Sequence, residues 1–173
     1  MISFLEGEVV EKGATRAVIG VGGVGYDVLV PTSVIAKLPA IGKTTRLHTR
    51  MVVREDSMTL YGFSAVDQRD LFDLLTGVTG VGPKVALAFL SVLRPTALTR
   101  AIVNGDAAAL TVVPGVGKKV AQRVVLDLAE KLGGDAELPS EGPMADVRDA
   151  LLSLGLTGTE AGEAMRGLSL IHI

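Results

Sequence analysis

Residues 74–91 read LLTGVTGVGPKVALAFLS and residues 112–128 read VVPGVGKKVAQRVVLDL, and the two stretches share one motif. The copies are GVGPKVA at residues 80–86 and GVGKKVA at residues 115–121, with six of seven positions identical at a spacing of 35 residues. Glycine permits a tight turn and close approach of a ligand, and the free N–H groups at a helix start attract anions. The alternative is a helix–helix connection that needs glycine for packing alone. Because the motif is duplicated, we favour phosphate binding along a polymer, and nucleic acid is the leading candidate.

In this interpretation, backbone N–H groups of both turns bind phosphate oxygens, and basic side chains on the following helices add positive charge. The predicted DNA-binding residues are Gly80, Val81, Gly82, Lys84, Gly115, Val116, Gly117, Lys118, Lys119 and Arg123. Contacts to phosphates read no base sequence and weaken as salt is added, so binding is expected to be sequence-independent and salt-sensitive. An Asp at Gly82 or Gly117 is expected to repel phosphate and to strain the turn.

The charge distribution supports this interpretation better than the total charge does. The 173-residue chain has a formal net charge of −2, which by itself argues against a polyanionic partner. However, residues 80–131 hold seven basic and three acidic residues, whereas residues 132–173 hold two basic and seven acidic residues. The local field steers a polyanion, so the basic excess around the motifs matters more than the sum.

Composition also excludes several classes of protein. The chain has no cysteine, which excludes disulfides and thiolate metal sites. The N-terminus lacks the apolar run of a signal peptide, and no apolar stretch reaches the roughly 18 residues of a membrane span. We therefore expect a cytoplasmic protein without membrane contact.

Five short runs rich in β-branched residues predict strands in residues 1–64, with no helix between them, and the common five-stranded solution is an OB-like barrel. From about Ala65 the apolar spacing becomes helical, and Asp106 is predicted to cap a helix at Ala107–Val112. The predicted fold is an OB-like barrel at 1–64, an all-α domain of short helices at 65–134, a flexible linker at 135–143 and a short, incomplete C-terminal helical unit at 144–173; the resemblance given below implies that the all-α domain is a tandem helix-hairpin-helix domain and that the C-terminal unit binds a partner.

Glu55 and Asp56 stand between the last two predicted strands. They can be read as a solvated hairpin tip, as a metal site for phosphodiester cleavage, or as carboxylates that repel phosphates and help to separate strands. Nothing nearby in the sequence supplies a third ligand, and His48 and His172 are expected to be incidental. No catalytic residue, metal or cofactor is predicted.

The two motif copies resemble helix-hairpin-helix elements, and the whole chain resembles one family. The stretches ISFLEGEV at 2–9, GVGYDVLVP at 23–31 and VVREDSMTLYGF at 52–63, followed by the two motif stretches, are similar in order to the RuvA family. That family is the Holliday-junction-binding subunit of the bacterial RuvAB branch-migration machine. The resemblance covers residues 1–134 almost continuously and extends to about Gly167.

The resemblance implies a homotetramer, or an octamer of two tetramers, whose concave basic face holds a four-way junction open and roughly square. It implies that Glu55 and Asp56 form the family's central acidic pin. It also implies roles in recombination, DNA repair and the SOS response to DNA damage, with a RuvB-type hexameric ATPase docking on the C-terminal domain and a RuvC-type resolvase as a further partner. After Gly167 the ending LSLIHI departs from the family pattern, so we expect a truncated or foreign tail. Docking of the ATPase by this particular chain is therefore left open.

Two other functions remain as alternatives. A helix-hairpin-helix DNA repair enzyme of the glycosylase type needs a catalytic Asp in a base-sized pocket. The nearest candidate, Asp106, is where an N-cap is expected. A single-strand binder built on the barrel needs exposed aromatic platforms. The barrel offers four aromatic residues, all expected in its core: Phe4, Tyr26, Tyr61 and Phe63.

Overall fold

The computed structural model describes residues 1–133, and these residues contain five strands and six helices. The strands are β1 (Phe4–Lys12), β2 (Arg16–Val21), β3 (Val24–Leu29), β4 (Thr44–Val53) and β5 (Met58–Phe63). The helices are α1 (Thr32–Ile35), α2 (Val66–Thr76), α3 (Pro83–Val92), α4 (Pro95–Val103), α5 (Ala107–Leu110) and α6 (Lys118–Gly133). The predicted linker at 135–143 and helical domain at 144–173 lie outside the described residues.

The five strands form a closed barrel in the order β1-β2-β3-β5-β4, which confirms the predicted architecture. All neighbouring strands pair antiparallel except β3 and β5, which run parallel. Alternate side chains point inward and fill the barrel with aliphatic residues, as expected of a small closed sheet. The fully buried residues of this core include Val9, Ile19, Val28, Val30 and Leu47.

Two expectations for the barrel were wrong. Helix α1 lies between β3 and β4, although no intervening helix was expected; a four-residue helix is one turn long and is too short to show a 3.6-residue period. Phe4 is 49% exposed on the outside of β1, where the Arg46 guanidinium lies 4.3 Å from its ring centroid. Of the four aromatic residues, Tyr61 and Phe63 are buried, and Tyr26 is partly buried against the barrel core.

Helices α2 to α6 form a block whose apolar faces meet in one core. Proline begins both α3 and α4, where its missing N–H is not needed. The Asp106 carboxylate accepts a 3.0 Å hydrogen bond from the Ala109 N–H, so the predicted cap of α5 is confirmed. The buried residues of this core include Leu75, Phe89, Leu90, Leu98, Ile102, Leu110 and Val124.

The barrel and the helical block share this core, because residues at the end of β5 pack directly on α2. The Phe72 ring lies 4.9 Å from the Tyr61 ring and 5.1 Å from the Phe63 ring, centroid to centroid. Next to these rings, the Arg50 guanidinium on β4 forms a two-pronged ion pair with the Asp73 carboxylate on α2, with Nε 2.6 Å from Oδ1. Residues 1–134 accordingly form one compact unit, and the end of the barrel is fixed against the helices.

The longest helix in residues 1–133 is α6, with 16 residues. No helix there is by itself both long enough and apolar enough to cross a bilayer. The pair α3 and α4 would qualify together by length and composition, but the two helices meet at an angle of 105°.

Candidate nucleic-acid interface

The first Gly-Val-Gly turn connects α2 to α3. The N–H of Val81 donates to the Val78 carbonyl at 3.0 Å, and Gly80 adopts a left-handed conformation with a φ of +91°. The chain then enters α3, where the Gly82 carbonyl accepts from the N–H groups of Val85 and Ala86, each at 3.0 Å. The turn is therefore held rigidly by its own backbone, and its glycines face outward.

The second turn repeats this geometry 35 residues later. The N–H of Val116 donates to the Val113 carbonyl at 3.0 Å, and Gly115 has a φ of +84°. The Gly117 carbonyl accepts from the Ala121 N–H at 2.9 Å as α6 begins. Sequence identity between the motif copies thus corresponds to the same backbone path.

The two turns lie close to one another. A Cβ built on Gly80 would lie 3.9 Å from Cγ2 of Val120, which belongs to the first turn of α6. The first turn therefore lies against the start of α6, within the second copy of the motif. This proximity could not be read from the sequence, because it depends on how the helices pack.

The two glycines of each turn meet different requirements. Gly80 and Gly115 have the positive φ that other residues rarely adopt. Gly82 has a φ of −83° and a ψ of 170°, which any residue can take, and a Cβ at Gly82 or Gly117 would meet nothing within 4 Å. The expectation that a side chain at Gly82 or Gly117 would strain the turn was therefore wrong, because the strain falls on the preceding glycine of each motif.

The valine between each pair of glycines anchors the turn. Val81 is 4% exposed and Val116 is 6% exposed, and both side chains belong to the core of the helical block. Their N–H groups are already bonded to Val78 and Val113. Among the predicted binding residues, the structure thus places these two beneath the turns, whereas the flanking glycines are on the surface.

The predicted basic residues are all exposed around the turns. Lys84 lies at the start of α3, and Lys118 and Lys119 begin α6. Arg123 follows one turn later, with its Nε 2.8 Å from Oδ2 of Asp127, so part of its charge is balanced within α6. The lysines are in no ion pair with residues 1–133. They therefore supply most of the positive field at the turns.

The N–H groups at the two helix starts are available to a ligand. The first N–H groups of any helix have no partner within it, and glycine has no side chain with which to cap them. None of the hydrogen bonds found within residues 1–133 uses the N–H of Gly82, Lys84, Gly117 or Lys118. Each turn therefore presents a short row of exposed donors at the positive end of a helix dipole.

The acidic residues Glu55 and Asp56 form the exposed tip of the β4–β5 hairpin. The Arg54 N–H donates to the Ser57 carbonyl at 2.8 Å and closes the turn, and the Ser57 hydroxyl lies 3.2 Å from the Asp56 carboxylate. Within residues 1–133, no group of three or more histidine or acidic side chains is placed to hold a metal ion. The tip is an exposed pair of negative charges on a short hairpin.

A cleft of about 430 Å³ between this hairpin and the first turn was missed by sequence reasoning. Arg54 and Lys84 line it from opposite sides, and Tyr61 lies in its wall. Burial raises the pKa of the Tyr61 hydroxyl, and the nearby Arg54 charge opposes that rise in part. Arg54 could have been singled out because it precedes the acidic pair, but its position facing Lys84 follows only from the packing of β5 on α2.

Comparison with known proteins gives concordant matches in both parts of the chain. Residues 1–62 match the family model described as RuvA N terminal domain, and residues 72–130 match SAM-like Helix-hairpin-helix tandem. The second match confirms the predicted tandem helix-hairpin-helix.

Relatives that match along most of this chain share one name, Holliday junction branch migration complex subunit RuvA. The protein from Mycolicibacterium smegmatis is 48% identical over 169 residues, covering 95% of this chain and 86% of the relative. The protein from Thermobifida fusca is 49% identical, covering 95% of this chain and 86% of the relative. The protein from Symbiobacterium thermophilum is 46% identical, covering 95% of this chain and 87% of the relative.

Proposed function

This chain belongs to the RuvA family, and we propose from that premise that it binds four-way DNA junctions and holds them open for branch migration. Binding is structure-specific and independent of base sequence. The chain itself is a non-catalytic subunit, and a RuvB-type ATPase supplies the energy for moving the junction. The observation that carries the proposal is the pair of identical, neighbouring Gly-Val-Gly turns with exposed N–H groups.

Phosphate binding at the turns follows from what each glycine contributes. Gly80 and Gly115 fold the turn, whereas neither backbone conformation nor internal packing requires Gly82 or Gly117 to be glycine. Open space at the second glycine lets a sugar-phosphate backbone approach the exposed N–H groups. Lys84, Lys118 and Lys119 then add charge to each contact, and such contacts fix position without reading bases.

The acidic hairpin has the opposite effect on phosphates. Glu55 and Asp56 protrude where no described residue neutralises them, so phosphates are repelled from the tip and drawn towards the turns. In a homotetramer, four such hairpins around one axis would keep the crossing strands apart. We propose that the chain forms this tetramer, that two tetramers can pair into an octamer, and that Glu55 and Asp56 form the central pin.

The cellular setting completes the proposal. Branch migration belongs to homologous recombination and DNA repair. These processes act on chromosomal DNA, so the proposal implies that the protein works in the cytoplasm. A RuvC-type resolvase would act on the same junction. The ATPase would dock through the C-terminal residues.

A gel-shift comparison tests the central proposal. We expect the chain to bind an immobile four-way junction at least about 10-fold more tightly than a linear duplex of the same sequence. Lys119→Ala should weaken binding to both DNAs. It should also reduce the slope of log affinity against log salt concentration by about 1, the amount expected for the loss of one phosphate contact. Lys43→Ala, at an exposed lysine just before β4, is the matched control and should change neither the affinity nor the salt dependence. Equal affinity for junction and duplex would contradict the proposal.

A further inference from the structure

Two exposed apolar side chains face each other at the base of the acidic hairpin. Val53 on β4 and Met58 on β5 are register partners one step below the tip. Val53 is 59% exposed and Met58 is 78% exposed. They form the apolar pair, a small hydrophobic surface that protrudes from the barrel beside two carboxylates.

The apolar pair continues the inner face of the barrel. Side chains alternate between the two faces of a strand. Val53 and Met58 therefore lie on the same face as Met51 and Leu60, the cross-strand pair two residues further into the barrel. Leu60 is in the barrel core and Met51 packs against it. The hairpin therefore extends the apolar lining beyond the closed barrel, where nothing in residues 1–133 covers it.

The other face of the hairpin is polar and basic. Arg54, Ser57 and Thr59 line the cleft that contains Lys84 and Gly82. The hairpin thus separates three kinds of surface: cations towards the first Gly-Val-Gly turn, carboxylates at the tip, and the apolar pair on the opposite face. A DNA strand that follows the turns would place its phosphates on the basic face.

We propose that the apolar pair contacts base faces at the crossover of the bound junction. This inference rests on the proposed function and extends it from phosphates to bases. The base faces are the large apolar surfaces of DNA, and methionine and other aliphatic side chains contact or wedge bases in distorted duplexes. Base stacking is interrupted at the crossover. Exposing a base face there therefore costs less free energy than it does within a continuous duplex.

Charge favours DNA bases over a second copy as the occupant of this surface. Direct packing of two apolar pairs would bring two Glu55–Asp56 tips together, and these four carboxylates are in no ion pair with residues 1–133. A base carries no net charge, and the carboxylates would hold its own phosphate away from the tip.

Fluorescence of 2-aminopurine at the branch point tests the inference. This base is quenched when stacked on its neighbours, so contact with the apolar pair should raise its emission when the full-length chain binds. Met58→Ser should cut that rise by at least half and weaken junction binding about fivefold to tenfold, with duplex binding unchanged. Met58→Leu should retain the rise. Ile41→Ser, at an apolar residue that is 64% exposed shortly before β4 begins, is the control and should behave as wild type.

The outcomes separate this inference from the proposed function. If wild type binds the junction but Met58→Ser gives the same emission and affinity, the apolar pair does not contact bases and the inference fails alone. If wild type shows no junction preference, the proposed function fails. If Met58→Ser lowers the oligomeric state of the DNA-free protein in sedimentation velocity, the occupant is a second copy and the inference is overturned.

Discussion

At the scale of single residues, each Gly-Val-Gly turn separates folding from binding. The first glycine adopts a positive φ, the valine is buried, and the second glycine precedes the helix with an open surface around it. A motif that occurs twice within one chain can therefore contain both structural and ligand-binding positions. The fold of residues 1–133 requires the first of these glycines, and the proposed phosphate contact explains the second.

This separation predicts opposite results for neighbouring substitutions. Gly80→Ala should destabilise the protein by about 1–2 kcal/mol, because alanine resists the left-handed conformation. Gly82→Asp should leave stability unchanged or raise it by up to about 1 kcal/mol, because Asp is a favoured N-cap at this φ and ψ. The same carboxylate would lower DNA affinity about 10-fold or more. Urea unfolding and gel shifts on both variants check this, and a strongly destabilised Gly82→Asp would contradict it.

At the scale of elements, the β4–β5 hairpin carries the exposed negative charges to which we assign the repulsion of phosphates. It is short and is closed by a backbone hydrogen bond. It emerges from a strand that the Arg50–Asp73 ion pair ties to α2. The negative tip is therefore held in a fixed position relative to the basic turns, which a mobile loop would not achieve.

Neutralising the tip should keep junction binding and strengthen it. Glu55→Gln or Asp56→Asn removes a repulsion, so affinity should rise about twofold to tenfold at low salt and the gain should shrink as salt is added. Glu8→Gln, an exposed position on β1, removes the same charge as a control and should have a smaller effect. Loss of junction binding in the tip variants would show that the carboxylates contact DNA or a metal directly.

Sequence reasoning located most elements and missed those that depend on packing. Runs of β-branched residues predicted five strands within residues 1–64, and the structure has five strands there; the glycine motifs and Asp106 indicated where α3, α5 and α6 begin. One-turn α1 carries no periodic signal, and the exposure of Phe4 reflects its contact with Arg46 across two strands. For the interface, the motif gave both turns and their lysines, whereas their proximity and the Arg54–Lys84 cleft arise from tertiary contacts.

At the scale of the whole molecule, the barrel and the helical block act as one body. Phe72 packs on Tyr61 and Phe63, and the resulting core joins the hairpin to the turns. One protomer thus presents a basic surface and an acidic edge in fixed geometry. Repetition of that arrangement around a four-fold axis would match the four equivalent arms of a junction, since each arm needs the same contacts.

Amide chemical shifts on addition of a four-way junction measure most directly whether the turns bind the sugar-phosphate backbone. In TROSY spectra of the labelled protein, the amide signals of Gly82, Lys84, Gly117 and Lys118 should shift strongly, because these N–H groups would donate to phosphate oxygens. The amides of Val81 and Val116, already bonded within the turns, should shift less. Junction binding that leaves the Gly82 and Gly117 signals in place would contradict the phosphate-binding role of the paired turns.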